Sequence, residues 1–560
     1  MPQRGFEDVS SEEEDVPRAL KSQRDHKNTH SLARRIVCGG LIVMSVFLAI
    51  SHHITSANRS PNLKLATWNV AAINNNPFEY WITHDDPAYN KLMADVQEFV
   101  DSPGDDRDVP VKLVFTPSMF DQLKQCMMAQ GWTVTETERV WVNDFSNRRI
   151  VSGFLKDESI GEKRLASMPD RYTNTIRLEN GQVSCRPTVI NCYDGDLSNI
   201  EKWWDQWRRF MFDQNLEVGR GPKRPSELLK PIKHAKYPAI SEAEEAYSLP
   251  LQTLSQAIFD AILVHVVNTV SPDGRWQTLR NEMCDALNRK KDVRTLDILK
   301  ASYYESDVIF LQETAISFQS KLKSSSLGSK FSIISPASRD TSRDQNSIIL
   351  LNRHRFVINS VVEHTDKVLA LFSGKRVPVA PGDLIVISVQ DILLRKFILA
   401  SFHGDTNGLA TKPVFEAVSK FAAQNLSGHM LLFGMDANTY EKQERGKQFV
   451  LDFATSIHSK GYTSCWGDMP NPKNYTTYNA RTYLQPQLQK AAKESERAIK
   501  GDLNPKDFIV FPGRAFQVVS TTKDNTGKRE YVEQMVFPTL QFPSDHGVLS
   551  TELTPTLTHS

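Results

Sequence analysis

Five polar clusters, each standing after an apolar run, punctuate this chain in order, and they constrain its fold more than any other feature. They are Thr67-Trp68-Asn69-Val70, Val308-Ile309-Phe310-Leu311-Gln312-Glu313, Phe402-His403-Gly404-Asp405, Leu431-Leu432-Phe433-Gly434-Met435-Asp436-Ala437-Asn438 and, after Tyr531–Phe542, Pro543-Ser544-Asp545-His546-Gly547. Short apolar runs bounded by polar residues read as buried strands. Strands that end in an amide, an acid or an imidazole deliver those groups to one edge of a sheet. Together the set can hold a divalent cation, grip a phosphate and activate a water.

The rest of the chain supplies the frame for such strands. Leu63–Val70 alternates like a strand. Further β-rich runs are Asp307–Leu311, Ser347–Leu351, Phe356–Val362, Asp383–Val389, Lys396–Ser401, Met430–Phe433, Asp507–Phe511, Ala515–Ser520 and Val548–Leu553. Val293–Tyr304 and Pro413–Leu426 have helical spacing. Strands dominate and helices fall irregularly among them, which favours a sheet-on-sheet core flanked by helices over a regular βαβ array.

At 560 residues the chain has room for two or three domains, and its net charge of +1 gives no global attraction for nucleic acid. Its six cysteines form no CxxC pair, so a structural zinc site is not expected. Cys185 and Cys192 either close a small disulfide loop in an oxidising compartment or stand as free thiols. Residues 1–35 are charged and read as a disordered tail. Residues 36–54 are apolar, close to the ~20 residues that span a bilayer, and read as an uncleaved transmembrane anchor. Arg18, Lys21, Arg24, Lys27, Arg34 and Arg35 precede it, and only Arg59 and Lys64 follow closely. The positive-inside bias then gives a single-pass type II protein with its folded part lumenal or extracellular. The sequons at Asn58, Asn425 and Asn474 are compatible with that side.

Asn69 and Glu313 are 244 positions apart, which leaves room for an inserted domain over 85–290. Helices are expected at Tyr89–Val100, Ser118–Gln130 and Leu251–Val270, and strands at Lys112–Thr116 and Thr133–Val140. Leu251–Val270 carries Gln256, Asp260, His265 and Asn268, so it reads as a core helix. Trp203, Trp204, Trp207, Arg208 and Arg209 interleave aromatic and basic groups, with a basic run from Arg220 to Lys236 downstream. That mixture suits bases and phosphates of a single strand, or a membrane headgroup layer. The plainer alternative is a Trp-rich helix packed on the core beside a solvated loop.

The ordered clusters resemble the endonuclease/exonuclease/phosphatase superfamily, over residues 63–82 and 292–553. The resemblance implies an α/β (α+β) fold, a four-layer α/β/β/α sandwich of two mixed sheets, here with a large inserted region and an N-terminal transmembrane helix. It implies Mg²⁺, with Mn²⁺ as the alternative, held by Glu313 with Asn69 and Asp545. Asp436 would orient or deprotonate the attacking water, and Asn438 would bond a phosphate oxygen. His546, oriented by Asp507, and His403 would contact the phosphate, with Asp405 and Asn407 lining the pocket.

Two departures bear on the branch. Ala71 stands where repair-type members carry an acid, and the Pro-Ala-Trp-Cys-Asp-Arg stretch of inositol phosphatases is absent. The expected activity is a nuclease-like phosphodiesterase acting on nucleic acid. The alternatives are a phospholipid or sphingolipid phosphodiesterase, an inositol polyphosphate phosphatase, and a catalytically inactive membrane-anchored binding protein. The bilayer is a partner through residues 36–54, and no protein partner is deducible.

Overall fold

The computed structural model describes residues 60–219, 221–339, 345–372 and 377–556. The expected tail (1–35), the expected anchor (36–54) and Arg220 lie outside the described residues. Strands β1 (Leu63–Asn69), β2 (Val308–Thr314), β3 (Phe331–Ile334) and β4 (Asn346–Asn352) come first in the chain. They are followed by β5 (Val362–Glu363), β6 (Leu384–Gln390), β7 (Lys396–His403) and β8 (Met430–Asp436). Last come β9 (Tyr462–Ser464), β10 (Asp507–Pro512), β11 (Phe516–Asp524) and β12 (Val548–Pro555). They build two six-stranded sheets, ordered β11-β12-β1-β2-β4-β3 and β9-β10-β8-β7-β6-β5. Each sheet is mixed: β1 runs parallel to β2 and β7 parallel to β8, and every other neighbour is antiparallel.

The apolar runs are nearly continuous because both faces of these strands are buried. Leu65, Phe310, Ile349, Ile387, Leu399, Leu432 and Ile509 pack between the sheets. Their neighbours along each strand point outward. Trp68, Ile309 and Leu350 meet Leu299 of the helix Lys291–Ser302 and Phe318 of Ile316–Ser324. Val386, Ala400 and Val510 meet Val414 and Val418 of Thr411–Asn425 and Phe453 of Val450–His458. The layers are therefore helix, sheet, sheet, helix. Gly434 marks a close approach of the sheets, since a Cβ there would fall 2.3 Å from the Phe310 ring.

Between β1 and β2 the chain forms a mainly helical region around its own apolar cluster, which also takes in Ala480, Leu484 and Ala492 from the loop before β10. Its helices begin where capping chemistry allows. Asp86 accepts from the Ala88 N–H and Thr116 from the Met119 N–H, each followed by Pro at the first helical position. Ser248–Val270 is long and apolar enough to cross a membrane by composition, yet most of it is buried among the other helices. Its Asp260 is matched by the buried Arg186 at 2.8 Å, Thr188 at 2.7 Å and the Trp207 indole N–H at 2.9 Å.

Several local expectations need correction. Thr133–Val140 is no strand: Thr135–Asn143 is a helix whose Thr137 and Trp141 are buried, and the Trp141 ring stacks on Phe120 at 4.9 Å. Lys112–Thr116 contains only a 3₁₀ turn, Val111–Leu113. In both, tertiary burial of an i, i+4 or turn face overrides β-branched propensity. Phe356–Val362 is mostly turn, with a single bridge from Phe356 to Asp391 and strand pairing only from Val362. Met430–Phe433 is longer than expected, reaching Asp436 itself. The disulfide also differs: Cys192 is bonded to Cys284, and Cys185 is free. Helix Arg275–Cys284 brings to Cys192 a partner 92 positions away, which spacing cannot reveal.

Candidate active site

The functional side chains sit where strand ends of both sheets converge. Parallel pairing sets Asn69 of β1 opposite Gln312 of β2. The next residue, Glu313, leaves the ladder at a register shift between Leu311 and Thr314. In the second sheet His403, Asp436 and Asp507 are neighbours in register across β7, β8 and β10. Ala71, Glu313 and Asn438 all have positive φ, of 56°, 55° and 47°. Such backbone is costly for residues with a Cβ and gathers where side chains must be re-aimed. Gly408 (φ 70°) lies so close to this corner that a Cβ would fall 2.5 Å from the Asn438 carbonyl oxygen.

Asn69 is the hub. Its Nδ2 donates to Glu313 Oε1 at 3.1 Å and to Asp436 Oδ2 at 3.0 Å, while its Oδ1 accepts from the Ala71 N–H at 2.9 Å. Glu313 Oε2 accepts from the Ala72 N–H at 2.7 Å. His403 Nε2 lies 3.4 Å from Glu313 Oε1 and 3.5 Å from Asp436 Oδ2. His546 Nε2 lies 3.6 Å from that same Asp436 oxygen, and its Nδ1 lies 3.0 Å from Asp507 Oδ2. The loop bearing His546 is pinned at both ends: the Trp68 indole donates to the His546 carbonyl at 2.8 Å, and Ser544 Oγ donates to the Asn69 carbonyl at 2.7 Å. Asn438 N–H donates to Asp436 Oδ1 at 2.9 Å, while its own buried Nδ2 makes no hydrogen bond among the described residues.

The electrostatics follow from burial and these neighbours. Burial works against the charge on Glu313, but His403, the Ala72 N–H and Asn69 hold its carboxyl below the usual range. Burial likewise opposes Asp436, and His546 and His403 outweigh it to hold the carboxyl ionised. Burial also acts to lower His546, but Asp507 and then Asp436 raise its pKa to about 10. The imidazole is thus a cation with a donor on each nitrogen.

Asn69, Glu313, His403, Asp436, Asn438, Asp507 and His546 are brought together, and Asp545 shares a cavity of about 340 Å³ with Glu313. Asn69 gives its nitrogen to two carboxylates and one lone pair of its oxygen to the Ala71 N–H, so it orients Glu313 and keeps a second lone pair on that oxygen. The substrate-stacking role expected of the tryptophans is overturned. Trp203, Trp204 and Trp207 are buried, and their indole N–H groups are taken by the Pro187 carbonyl, Gln122 and Asp260. Arg208 and Arg209 pair with Asp205 at 3.1 and 2.9 Å on the outer face of the helix Ile200–Phe212 that carries all of them. Asp405 gives its carboxylate to the N–H groups of Leu409 and Ala410, at the turn into Thr411–Asn425, and Asn407 is exposed on that loop. Asp405 thus fixes the turn on which Asn407 stands.

Other contributors carry no motif. Gln312 Nε2 reaches Thr67 Oγ1 at 3.2 Å and Ser401 Oγ at 3.0 Å, tying the two sheets beneath the site. Thr476 Oγ1 accepts from the Asp507 N–H at 3.1 Å. Lys291 is buried beside the cavity, at the junction of the inserted helices with the sandwich.

Two facing mixed sheets, helices on both outer faces and an acid–amide–imidazole cluster at their common edge make up the architecture. It is the four-layer arrangement that the resemblance to the endonuclease/exonuclease/phosphatase superfamily implies. Residues 108–281 match the family described as a domain of unknown function (DUF8234). No curated protein matches the chain in sequence. Among solved structures it is similar to TDP2 of D. rerio complexed with a single-strand DNA product, at 14% identity and TM-score 0.30, over 48% of this chain and 94% of that one. It is similar to the human Nocturnin catalytic domain at 15% identity and TM-score 0.31, over 48% and 87%. An endonuclease/exonuclease/phosphatase from Beutenbergia cavernae shows 14% identity and TM-score 0.30, over 47% and 66%.

Proposed function

We propose that this chain is a divalent-metal-dependent phosphodiester hydrolase. The observation that carries the reading is the single Asn69 amide bonded to both Glu313 and Asp436. It fixes the distance between a carboxylate suited to a hard cation and a carboxylate suited to a water.

The residues present fit such a cation. Glu313 and Asp545 offer oxygen ligands to the same cavity, and a magnesium site uses one or two carboxylates while keeping several waters. The alternative group, Asp436, Asp507 and His546, has ligand atoms within 4.8 Å of one another. In that group the His546 ring already bonds Asp507 at 3.0 Å, whereas Glu313 and Asp545 line an open cavity, so the latter pair is the better fit. When bound, the cation supplies Lewis-acid neutralisation of a phosphoryl oxygen.

The chain's own groups do the rest. Asp436, ionised and flanked by two imidazoles, takes the proton of a water as its oxygen attacks phosphorus in line. The P–O bond opposite breaks, and its electron pair leaves with the departing oxygen. The unpartnered Nδ2 of Asn438 donates to a non-bridging oxygen. His546, charged and oriented by Asp507, donates through Nε2 as negative charge builds.

The reading includes residues 36–54 as a tether that leaves this site on the lumenal or outer side. The Cys192–Cys284 bridge supports an oxidising compartment. The test is a screen of the full-length chain in detergent against single-stranded nucleic acid, sphingomyelin micelles and inositol phosphates, with Mg²⁺ and with chelator. Chelator-sensitive release from either diester class supports the reading. Release from none, or release that chelator leaves untouched, ends it.

A further inference from the structure

The cavity that Glu313 and Asp545 share has walls the reaction above does not use. Ile73, Pro77 and Ile82 from the segment after β1, Leu287 from the turn Asp285–Arg289, and Pro538 and Pro543 give it an apolar wall beside the polar Glu79, Tyr80, Glu313 and Asp545. Its amides are already committed: Asn74 Nδ2 donates to Glu79 at 2.8 Å and Asn76 Nδ2 to the Leu484 carbonyl at 2.8 Å. At about 340 Å³ it is in the range of small-molecule pockets, which are mostly apolar with a few placed polar groups.

One cationic group faces it, beside the carboxylates of Glu79, Glu313 and Asp545. Lys291 is 4% exposed, and its Nζ reaches only the Ala72 carbonyl, at 3.3 Å, with no carboxylate at ion-pair distance among the described residues. Its sequence neighbour Asp292 is paired instead with Lys321 at 2.7 Å. Asp545, Glu313 and Asp292 act on this buried ammonium only from beyond contact, so an anion at hydrogen-bond distance would stabilise it further. Ala72 also gives its N–H to Glu313, so the cation and the metal-suited carboxylate flank one residue. The roof is fastened rather than loose: Asn288 donates to the Asn74 carbonyl at 3.3 Å, and the turn follows Cys284 of the disulfide.

We propose that this cavity binds a compact apolar or aromatic group carried by the scissile phosphodiester, with Lys291 on a phosphate oxygen. The proposal rests on the hydrolase reading above. The inserted region then selects substrate through Leu287, at its junction with the sandwich, and not through its tryptophans. Polyphosphorylated headgroups are disfavoured, because Glu79, Glu313 and Asp545 outnumber the one lysine on the cavity wall.

The test uses the full-length chain in detergent with Mg²⁺ and three probes: diphenyl phosphate, dimethyl phosphate and inositol hexakisphosphate. Calorimetry should give diphenyl phosphate about tenfold to a hundredfold tighter than dimethyl phosphate, with no competition from the inositol probe. Ile73→Trp, on a half-exposed segment, should weaken diphenyl phosphate about tenfold and dimethyl phosphate far less. Lys291→Met should weaken both diesters by the same factor. Equal affinity for the two diesters, or displacement by the inositol probe, overturns the pocket. Hydrolysis of bis(4-nitrophenyl) phosphate is measured alongside. If it is absent while the aryl preference stands, the hydrolase reading falls and the pocket remains. If it is present without aryl preference, the reverse holds.

Discussion

His546 and Asp507 hold each other at 3.0 Å, Nδ1 to Oδ2, with both side chains buried. The carboxylate fixes the orientation of the ring and outweighs the burial that would strip the imidazole of its proton. Asp507→Asn keeps the size and removes the charge. It should lower kcat by about 10²–10⁴-fold on bis(4-nitrophenyl) phosphate with KM little changed. A KM effect with kcat intact would instead make this pair a binding element.

Glu313→Gln should abolish Mg²⁺-dependent turnover and leave the fold standing. The Gln carbonyl can still accept from the Ala72 N–H, so the loop keeps its anchor. What is lost is a carboxylate ligand, which a hard cation needs. Turnover at limiting Mg²⁺ and a thermal melt are the two readouts; unchanged turnover would remove the metal assignment.

The buried tryptophans make a stability prediction. Trp207→Phe keeps most of the bulk but leaves Asp260 without one of its donors. It should cost about 1–3 kcal/mol by denaturant unfolding, with KM unaltered on every substrate. A raised KM at unchanged stability would restore the substrate role that the burial removes.

For the disulfide, peptide mapping under non-reducing conditions should recover Cys192 linked to Cys284 and Cys185 alkylated. Cys284→Ser should cost about 2–5 kcal/mol. In sealed microsomes, added protease should trim only about the first 35 residues, as the positive-inside bias requires. Digestion of the fragment holding Asp545 in intact vesicles would reverse the orientation.

Much of the site is legible in the chain because each of its groups ends or closely follows an apolar run. Asn69, Glu313, His403 and Asp436 end strands, and strand ends in mixed sheets meet at one edge. What stays hidden depends on where backbone goes after the strand. The left-handed turn at Glu313, the Ala72 N–H beneath it and the approach of Lys291 from the junction have no periodicity to betray them. The tryptophans mislead for a related reason. An aromatic-basic alternation looks the same whether the rings face solvent or an Asp260 placed by a distant helix. Thr133–Val140 shows the limit of β-branched propensity, since Trp141 needed a helical face to reach Phe120.

The first strand of the sandwich has neighbours that are synthesised late. β1 pairs with β2 across the whole inserted region, and with β12 near the far end of the chain. At about 5–20 residues per second of synthesis, β1 waits roughly half a minute or more before its second edge can be covered. Meanwhile the inserted helices, whose contacts are more local, have emerged complete, and local contacts form fastest. The insertion is therefore suited to fold on the ribosome while an apolar strand dangles beside it. Chains released short of β12 should collect in chaperone complexes or aggregates, with their helical part already intact.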